Sequence, residues 1–353
     1  MKRKKRILVA PLDWGLGHAT RCIPIIRELL NNEAEVLLAS SGNALALLKN
    51  EFPVLAAFEI VGYDPVYPAN DSMVKEMMQQ LPKFIKAIAQ EHEEVEAIVK
   101  SHSVDAVISD NRYGCFSKKI KSVFITHQLN ILMPADWKWM QRGVNYYNHK
   151  QIKEYSECWV PAADASLLGP LVTEVKGVKT RYIGNLSRLE KKSALKKYDV
   201  LVICSGPEPQ RRIFESLSKG QLCNSSLKSL IVRGEPREEN KTESVNAMIV
   251  KGFLNSREIN NVIAESDVII SRSGYSTVMD LAKMEKKAIF IPTSGQTEQE
   301  YLAEVLMKRQ VAFCMNQSAF DLQKALEETN KFSGFTKFEH DDSLLKNAVQ
   351  SIL

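Results

Sequence analysis

Residues 267–301 have the sequence DVIISRSGYSTVMDLAKMEKKAIFIPTSGQTEQEY. Two short apolar runs in it, Val268–Ile270 and Ala288–Ile291, have the length and the β-branched content of buried parallel strands. A small-residue turn and a helical pattern from about Ser276 to Met284 lie between them. This order of strand, turn and helix brings free backbone N–H groups and the positive end of a helix dipole to one point. The stretch therefore predicts an α/β unit with a phosphate-binding turn.

The side chains of this turn suit a nucleotide. Gly274 permits a positive φ and a close backbone approach, and Ser273, Ser276 and Thr277 offer hydroxyl groups. Asp280 follows Ser276 by four residues and shares its helix face, where a carboxylate can accept a hydrogen bond from a ribose. The alternative is an ordinary helix cap without a ligand. The loop that follows the second strand is polar and rich in side chains that can bind sugar hydroxyls.

Length and composition limit the protein class. The chain has 353 residues, 44% of them hydrophobic and 25% charged, which predicts a soluble protein with two domains. Six scattered cysteines without a C-x-x-C pair favour a reducing compartment and argue against a zinc site or a disulfide framework. No apolar run approaches 18 residues and the N-terminus lacks a signal peptide, so we expect a cytoplasmic location.

Positive charge is concentrated at the N-terminus. The formal net charge is +5, and residues 2–6 carry five basic side chains. This tip is either a solvated tail or a point of peripheral contact with an anionic membrane at the inner face of the cell membrane. Because the remainder of the chain is close to neutral, a nucleic-acid partner is not expected.

Strand and helix patterns alternate along the whole chain. This alternation predicts an α/β protein with two doubly wound parallel sheets. We expect a first domain over residues 1–186 and a second over residues 187–342. The amphipathic segment 343–353 is expected to pack back on the first domain.

A glycine-rich loop follows the first predicted strand. Residues 13–18 have the sequence DWGLGH, in which Gly15 and Gly17 suit close ligand approach. A dinucleotide fingerprint is excluded, because Thr20 occupies the third glycine position. His18 lies at the carboxyl end of the sheet, where open α/β folds bind ligands, and its ordinary pKa range suits a general base. The alternative is a histidine that caps its own helix.

Two further strand ends carry polar residues. His127, Gln128 and Asn130 follow one strand of the first half, and Ser205-Gly206 forms a strand-to-helix turn that can contact a phosphate. No D-x-D pair is present to hold a metal on a nucleotide diphosphate. We therefore expect no metal and no cofactor, and neutralisation of a diphosphate by helix dipoles, hydroxyls and Arg272.

Residues 131–155 are rich in aromatic and basic side chains. One interpretation is a core-facing helix with aromatic packing. The other is a surface that meets a bulky or lipid-like acceptor.

These motifs together resemble the bacterial MurG-like glycosyltransferases, the family 28 group with the GT-B fold. Residues 271–278, SRSGYSTV, are similar to the family's R-S-G-x-x-T motif, and Asp280 stands where the family usually has a glutamate. The 13–18 loop resembles the end of its glycine-histidine motif, and residues 127–130 loosely match its H-E-Q-N stretch. Glu300 departs from a second glutamine after Gln299, so the chain resembles a divergent relative rather than the peptidoglycan enzyme itself.

The resemblance implies two Rossmann-like domains that face a central cleft. It implies a metal-independent inverting transferase, which moves a hexose or N-acetylhexosamine from a UDP-sugar to a glycan or lipid-linked acceptor of the cell envelope. His18 would act on the acceptor. Gly15, Gly17, His127, Gln128 and Asn130 would lie on the acceptor side. The expected donor-binding residues are Ser205, Gly206, Phe253, Leu254, Arg272, Ser273, Gly274, Tyr275, Ser276, Thr277, Asp280, Gln296 and Gln299.

Two alternatives remain open from the sequence. A UDP-N-acetylglucosamine 2-epimerase-like enzyme also uses two such domains and consumes its substrate without an acceptor. A non-catalytic nucleotide-sugar-binding protein would bind UDP without turnover.

Overall fold

Two seven-stranded sheets follow one another along the chain. The computed structural model describes residues 3–68, 73–238, 241–336 and 341–353. Met1 and Lys2 of the basic tip lie outside these ranges.

The first sheet has the order β3-β2-β1-β4-β5-β6-β7, and its paired strands are parallel. Its strands are buried from both faces, since in β1 every residue after Arg6 is buried. The strands are β1 (Arg6–Pro11), β2 (Glu35–Ser40), β3 (Ala56–Glu59), β4 (Ala106–Asp110), β5 (Lys121–Ile125), β6 (Glu157–Val160) and β7 (Thr180–Tyr182). The helices of this half are α1 (Gly17–Asn31), α2 (Gly42–Glu51), α3 (Met73–Ser101) and α4 (Gln141–Ile152).

The second sheet has the order β10-β11-β9-β8-β12-β13-β14, and its only described antiparallel pair is β10 with β11. The strands are β8 (Tyr198–Ile203), β9 (Ser229–Val232), β10 (Thr242–Val245), β11 (Met248–Lys251), β12 (Ser266–Ser271), β13 (Lys287–Phe290) and β14 (Phe313–Cys314). The helices that follow the linker are α5 (Gln210–Leu222), α6 (Ser256–Ala264), α7 (Tyr275–Lys283), α8 (Thr297–Lys308), α9 (Leu322–Thr329) and α10 (Asp342–Gln350).

The last helix, α10, returns to the first half. Ala348, Val349 and Ile352 belong to the apolar cluster that α1 forms with the first sheet. Gln350 Nε2 donates to Asn32 Oδ1 at 2.5 Å, just beyond the end of α1. The chain end therefore crosses from the second sheet to the first.

The two sheets present their ligand-binding edges to each other. In each sheet a central strand, β1 or β8, lies where the strand order reverses. Ligands bind at such points in open α/β sheets. A Cβ atom at Gly15, after β1, would lie 3.7 Å from the Cα atom of Gly206, after β8. The loops at the two reversal points are thus in contact across the cleft.

Residues 131–155 form a 3₁₀ helix, Ala135–Met140, followed by α4. Their aromatic residues do not all face the core, because Trp139 and Tyr146 are 76% and 74% exposed. The interpretation as a core-facing helix is wrong for these two side chains.

All six cysteines are free thiols. Within the described ranges, no helix is both long enough and apolar enough to cross a lipid bilayer.

Candidate active site

His18 and Asp110 meet at the carboxyl edge of the first sheet. β1 and β4 are adjacent parallel strands, so the start of α1 lies beside the end of β4. His18 is the second residue of α1, and Asp110 is the last residue of β4. His18 Nδ1 lies 2.7 Å from Asp110 Oδ1, and the carboxylate is fully buried. This pair has the geometry of a base and the group that orients it.

Arg21 forms an ion pair with the Asp110 carboxylate. Its guanidinium donates to both carboxylate oxygens of Asp110. Burial alone would raise the pKa of Asp110, but the charges of Arg21 and His18 and their hydrogen bonds lower it to about 2. Burial, and then the charge of Arg21, lower the pKa of His18, although Asp110 acts in the opposite direction. His18 is therefore a neutral imidazole at neutral pH.

The proton of neutral His18 is assigned to Nδ1. A buried carboxylate accepts only, so the short contact with Asp110 requires a donor on the ring. Arg21 Nη2 also lies 2.9 Å from His18 Nδ1, but the guanidinium already donates to Asp110. The Nδ1 proton leaves Nε2 with a lone pair that can accept a proton from a substrate.

A second histidine connects this network to the other half of the molecule. Arg21 Nη1 lies 2.7 Å from His127 Nδ1, which must accept because a guanidinium only donates. His127 therefore carries its proton on Nε2 and donates it to Glu298 Oε1 at 2.7 Å. The other oxygen of Glu298 accepts from Gln128 Nε2. Because Glu298 lies in the first turn of α8, its carboxylate ties the second sheet to the first.

The glycine loop also touches the turn after β12. Ser276 Oγ donates to the Gly17 carbonyl at 2.8 Å. A Cβ atom at Gly17 would lie 3.2 Å from Ser276 Oγ, which explains the need for a small residue. Tyr275 stacks on His127 with ring centroids 4.6 Å apart and donates to the Pro161 carbonyl. The structure thus brings the predicted residues of both halves together.

The start of α7 is open to a ligand. Gly274 is the N-cap residue, and no side chain of the described residues caps this helix. The first-turn N–H groups are therefore not satisfied by the ordinary side-chain cap that was the alternative interpretation. The predicted positive φ at Gly274 is wrong, since its φ is −67°. A Cβ atom there would meet nothing within 4 Å, so the space in front of the turn is clear.

A cavity of about 160 Å³ lies between the facing glycine turns. Its walls include Gly15 from the first half and Ser205, Gly206 and Arg211 from the second. Gly206 has a φ of +98°, a conformation that favours glycine.

Arg272 and Asp280 are directed elsewhere. The Arg272 guanidinium lies 4.5 Å from the ring centroid of Phe214 and donates to the carbonyls of Ile291, Pro292 and Gln210. Burial lowers its pKa to about 10. Asp280 Oδ1 accepts from Ser187 Oγ at 2.6 Å, and Arg188 Nε lies 3.8 Å from Oδ2. Both of these partners belong to the segment that joins the two sheets.

Four other predicted residues are built into the packing. Phe253 and Leu254 are 3% and 4% exposed and lie within apolar clusters. Gln299 is buried, and its Oε1 accepts from the Thr293 backbone at 2.8 Å. Asn130 Nδ2 donates to the Thr173 carbonyl at 2.9 Å, within the first half. Two remaining residues stand beside helix starts: Gln296 is the N-cap residue of α8, and Thr277 lies in the first turn of α7.

Sequence reasoning missed Asp110, Arg21 and Glu298. A signal for Asp110 exists, because an acidic residue that ends a buried strand beside the central strand points to the ligand edge. Arg21 follows His18 by three residues on one helix face, which is a weaker signal. The partners of Glu298 lie about 170 residues away, so local spacing cannot reveal them.

The described residues contain no group of three or more His, Cys, Asp or Glu side chains that could hold a metal ion.

Residues 210–352 match the glycosyltransferase family 28 C-terminal domain. The chain is 24% identical over 349 residues to the UDP-N-acetylglucosamine–N-acetylmuramyl-(pentapeptide) pyrophosphoryl-undecaprenol N-acetylglucosamine transferase of Bacillus pumilus (strain SAFR-032), covering 93% of this chain and 90% of that protein. It is 25% identical over 316 residues to the corresponding transferase 1 of Bacillus thuringiensis subsp. konkukian (strain 97-27), covering 82% and 79%.

Solved structures share the fold over the full length. The spinosyn rhamnosyltransferase SpnG superposes with a TM-score of 0.64 at 12% identity, covering 99% of this chain and 95% of that one. The glycotransferase of kitacinnamycin gives a TM-score of 0.60 at 14% identity, covering 100% and 94%. Two sheets that meet at their ligand edges, a match to the family 28 C-terminal domain and relatives along most of the sequence make this chain a glycosyltransferase of the GT-B fold that is similar to the MurG-like enzymes.

Proposed function

We propose that the protein moves a hexose or N-acetylhexosamine from a UDP-sugar to a hydroxyl of a glycan or lipid-linked acceptor, with inversion at the anomeric carbon and without a metal ion. The observation that carries this proposal is the His18–Asp110 pair beside the uncapped start of α7, where Ser276 donates to Gly17, the residue before His18. One side offers a base and the other offers an anion site.

The reaction would be a single displacement. His18 Nε2 takes the proton of the acceptor hydroxyl while its oxygen bonds to the anomeric carbon and the bond to the UDP oxygen breaks. Asp110 stabilises the imidazolium that forms and keeps Nε2 facing the acceptor. One displacement inverts the anomeric carbon.

The leaving diphosphate would be held by the protein itself. N–H groups at the start of α7 and its dipole favour negative charge there. Arg211 lines the cavity beside Gly206, but it is paired there with Glu208 and Glu235 and supplies no free positive charge. Arg272 is not given this role, because its two Nη groups donate to carbonyls behind the turn.

We also propose peripheral contact with an anionic membrane, on the cytoplasmic side. Met78, Leu81 and Ile85 recur at helical spacing on α3 and are 44%, 48% and 49% exposed. Lysines 75 and 86 lie on the same helix. Apolar side chains beside basic ones suit a lipid surface. Sedimentation with phosphatidylglycerol vesicles should retain the protein, and Leu81→Asp should reduce this retention; equal retention on phosphatidylcholine would contradict the anionic preference.

The donor is tested by thermal shift with UDP, UDP-sugars, GDP-sugars and dTDP-sugars, because a ligand stabilises the state that it binds. Uridine compounds should give the largest shift, and no shift with any of them would overturn the proposal. With the preferred donor and an acceptor, NMR of the product reports inversion, and excess EDTA should leave the rate unchanged. Consumption of UDP-N-acetylglucosamine without an acceptor, to a 2-epimer, would favour the epimerase alternative.

A further inference from the structure

We propose that Glu298, a residue of the second half, is a positioning residue for the base, because its carboxylate supplies the negative charge that balances a protonated His18. The inference rests on the proposed transfer reaction and deepens it, since it makes the strength of the base depend on contact between the two halves. Glu298 lies in the first turn of α8, whereas His18 lies at the start of α1.

A continuous chain of contacts joins Glu298 to His18. His127 donates from Nε2 to Glu298 Oε1 at 2.7 Å and accepts at Nδ1 from Arg21 Nη1 at 2.7 Å. Arg21 also donates to both oxygens of Asp110, and one of these oxygens lies 2.7 Å from His18 Nδ1. The five side chains are at most 15% exposed. Because water screens buried charges weakly, a charge at one end of the chain acts on the other end.

The second half holds the His127 ring from two directions. Tyr275 stacks on the ring with centroids 4.6 Å apart and planes 10° apart, and Glu298 accepts from its edge. Both hydrogen bonds described for the Glu298 carboxylate come from the first half, one from His127 and one from Gln128. Glu298 therefore joins the network only when the two halves are together.

The charges of the network explain what Glu298 adds. Arg21 and Asp110 cancel each other, and His18 and His127 are neutral, so Glu298 leaves the network with one net negative charge. When His18 takes the proton of the acceptor hydroxyl, the network becomes neutral. Without Glu298, the same proton transfer would leave a net positive charge in a buried place, which is costly. An opposite charge favours the protonated form of a base, so contact with Glu298 strengthens His18.

The pKa values of the two groups act in the same direction. Burial raises the pKa of Glu298, and three positive charges and a hydrogen bond from His127 lower it overall. The charges are those of His127, Arg21 and His18, in that order. Because an interaction between two charges is mutual, Glu298 raises the pKa of His18, as Asp110 does, whereas burial and Arg21 lower it. Burial raises the pKa of the other titratable groups beside the network, which are therefore neutral at neutral pH: Cys22, Tyr67 and Tyr275.

The test is an NMR titration of the full-length protein labelled with ¹⁵N-histidine, in which the His18 signals are identified by their loss in His18→Ala. Glu298→Gln removes the charge and keeps an oxygen that can accept from His127. We expect its His18 to become protonated only at lower pH than in the unsubstituted protein. A His18 pKa that is unchanged or higher in Glu298→Gln would overturn the inference.

Glu304→Gln is the matched control, because Glu304 lies on the same helix and is 61% exposed. It should leave the titration of His18 in place, and an effect equal to that of Glu298→Gln would show that the charge of the whole helix acts on His18.

A double variant tests whether the charge or the residue matters. Glu298→Gln together with Gln128→Glu exchanges two side chains that are hydrogen-bonded to each other, so a carboxylate stays beside His127 but belongs to the first half. The His18 pKa should return towards that of the unsubstituted protein. A pKa well below that value would contradict the role of the charge, and this comparison remains possible if Glu298→Gln does not fold.

These titrations need no substrate, so a UDP thermal shift on the same protein separates the inference from the proposed function. A UDP shift with an unchanged His18 pKa in Glu298→Gln would reject only the role of Glu298. A lowered His18 pKa without a shift from any uridine nucleotide would support that role and reject the proposed donor.

Discussion

His127 and Glu298 lie on opposite halves of the molecule and are joined by a 2.7 Å hydrogen bond from Nε2 to Oε1. The bond joins the loop after β5, at the carboxyl edge of the first sheet, to the first turn of α8. Burial raises the pKa of Glu298, but the interaction with His127 and its hydrogen bond, and then the charge of Arg21, lower it overall. The carboxylate therefore stays ionised where the two halves meet.

Glu298→Ala should destabilise the protein, because it leaves His127 and Gln128 without their shared acceptor. A hydrogen bond to a charged group is worth about 1.5–3 kcal/mol. We expect a thermal midpoint that is lower by several degrees, and a smaller loss in Glu298→Gln, which retains an acceptor oxygen. Differential scanning calorimetry measures both.

Glu304→Ala is the matched control on the same helix. Its carboxylate is 61% exposed and pairs only with Lys308 among the described ion pairs. Exposed pairs contribute about 0–1 kcal/mol, so this midpoint should hardly move. Equal losses for the two variants would show that Glu298 does not link the halves.

His18→Ala should abolish the proposed base. We expect turnover with acceptor to fall by roughly 10²–10⁴-fold, the range for a general base, with the affinity for UDP retained. Initial rates and UDP titration measure the two effects. His102→Ala is the control, since His102 packs against Phe58 far from the cleft edge. Unchanged turnover in His18→Ala would remove it from the mechanism.

The acid limit of activity, the pH at which kcat/KM falls to half as His18 is protonated, should lie below pH 6.5. Burial and the charge of Arg21 lower the pKa of His18, so the base form persists to lower pH than for a free histidine. In the pH profile of kcat/KM, the rate should rise through this lowered pKa and then stay flat through neutral pH. For the same reason, stability contributed by neutral His18 is present above pH 6.5 and is lost as the pH falls towards the folded-state pKa.

Arg21→Gln should move that acid limit to higher pH. The charge that holds the pKa of His18 down is removed, while Asp110 continues to raise it. His127, Glu298 and Tyr275 also face this network, and each is retained in the variant. Arg27→Gln, two turns along α1 and 44% exposed, should leave the limit in place. A limit that stays fixed or falls in Arg21→Gln would contradict the assignment.

Local patterns were sufficient for the fold and for the positions of the loops at the strand ends. Buried β-branched runs predicted the parallel strands, since the sheet interior requires them, but β10 was missed because its TESV sequence is entirely exposed. The glycine loop and the α7 turn were predicted from strand ends, and each lies at the carboxyl edge of its own sheet, after β1 and after β12.

Pairings across the cleft could not be predicted in this way. The Arg21–His127 and His127–Glu298 contacts depend on how two separate sheets meet, and no sequence spacing encodes that. The same holds for Asp280, whose partner Ser187 lies 93 residues earlier. Its helical position suggested a ribose contact, but position on a helix face does not determine which neighbour occupies it.

Asp280 provides a sharper test of the nucleotide site. If the carboxylate binds a ribose as predicted from the sequence, the ligand must replace the Ser187 hydroxyl that now donates to it at 2.6 Å. Ser187→Ala should then tighten UDP binding by a few-fold, because the competing donor is gone. Asp280→Ala should weaken it by roughly tenfold or more, since a hydrogen bond to a charged group is worth about 1.5–3 kcal/mol. Isothermal titration with UDP measures both.

Glu285→Ala, which breaks an exposed ion pair between α7's end and Lys191 of the same linker, controls for general loosening of that segment. Weaker binding in both Ser187→Ala and Asp280→Ala, with Glu285→Ala unaffected, would instead assign Asp280 to holding the linker and not to the ribose.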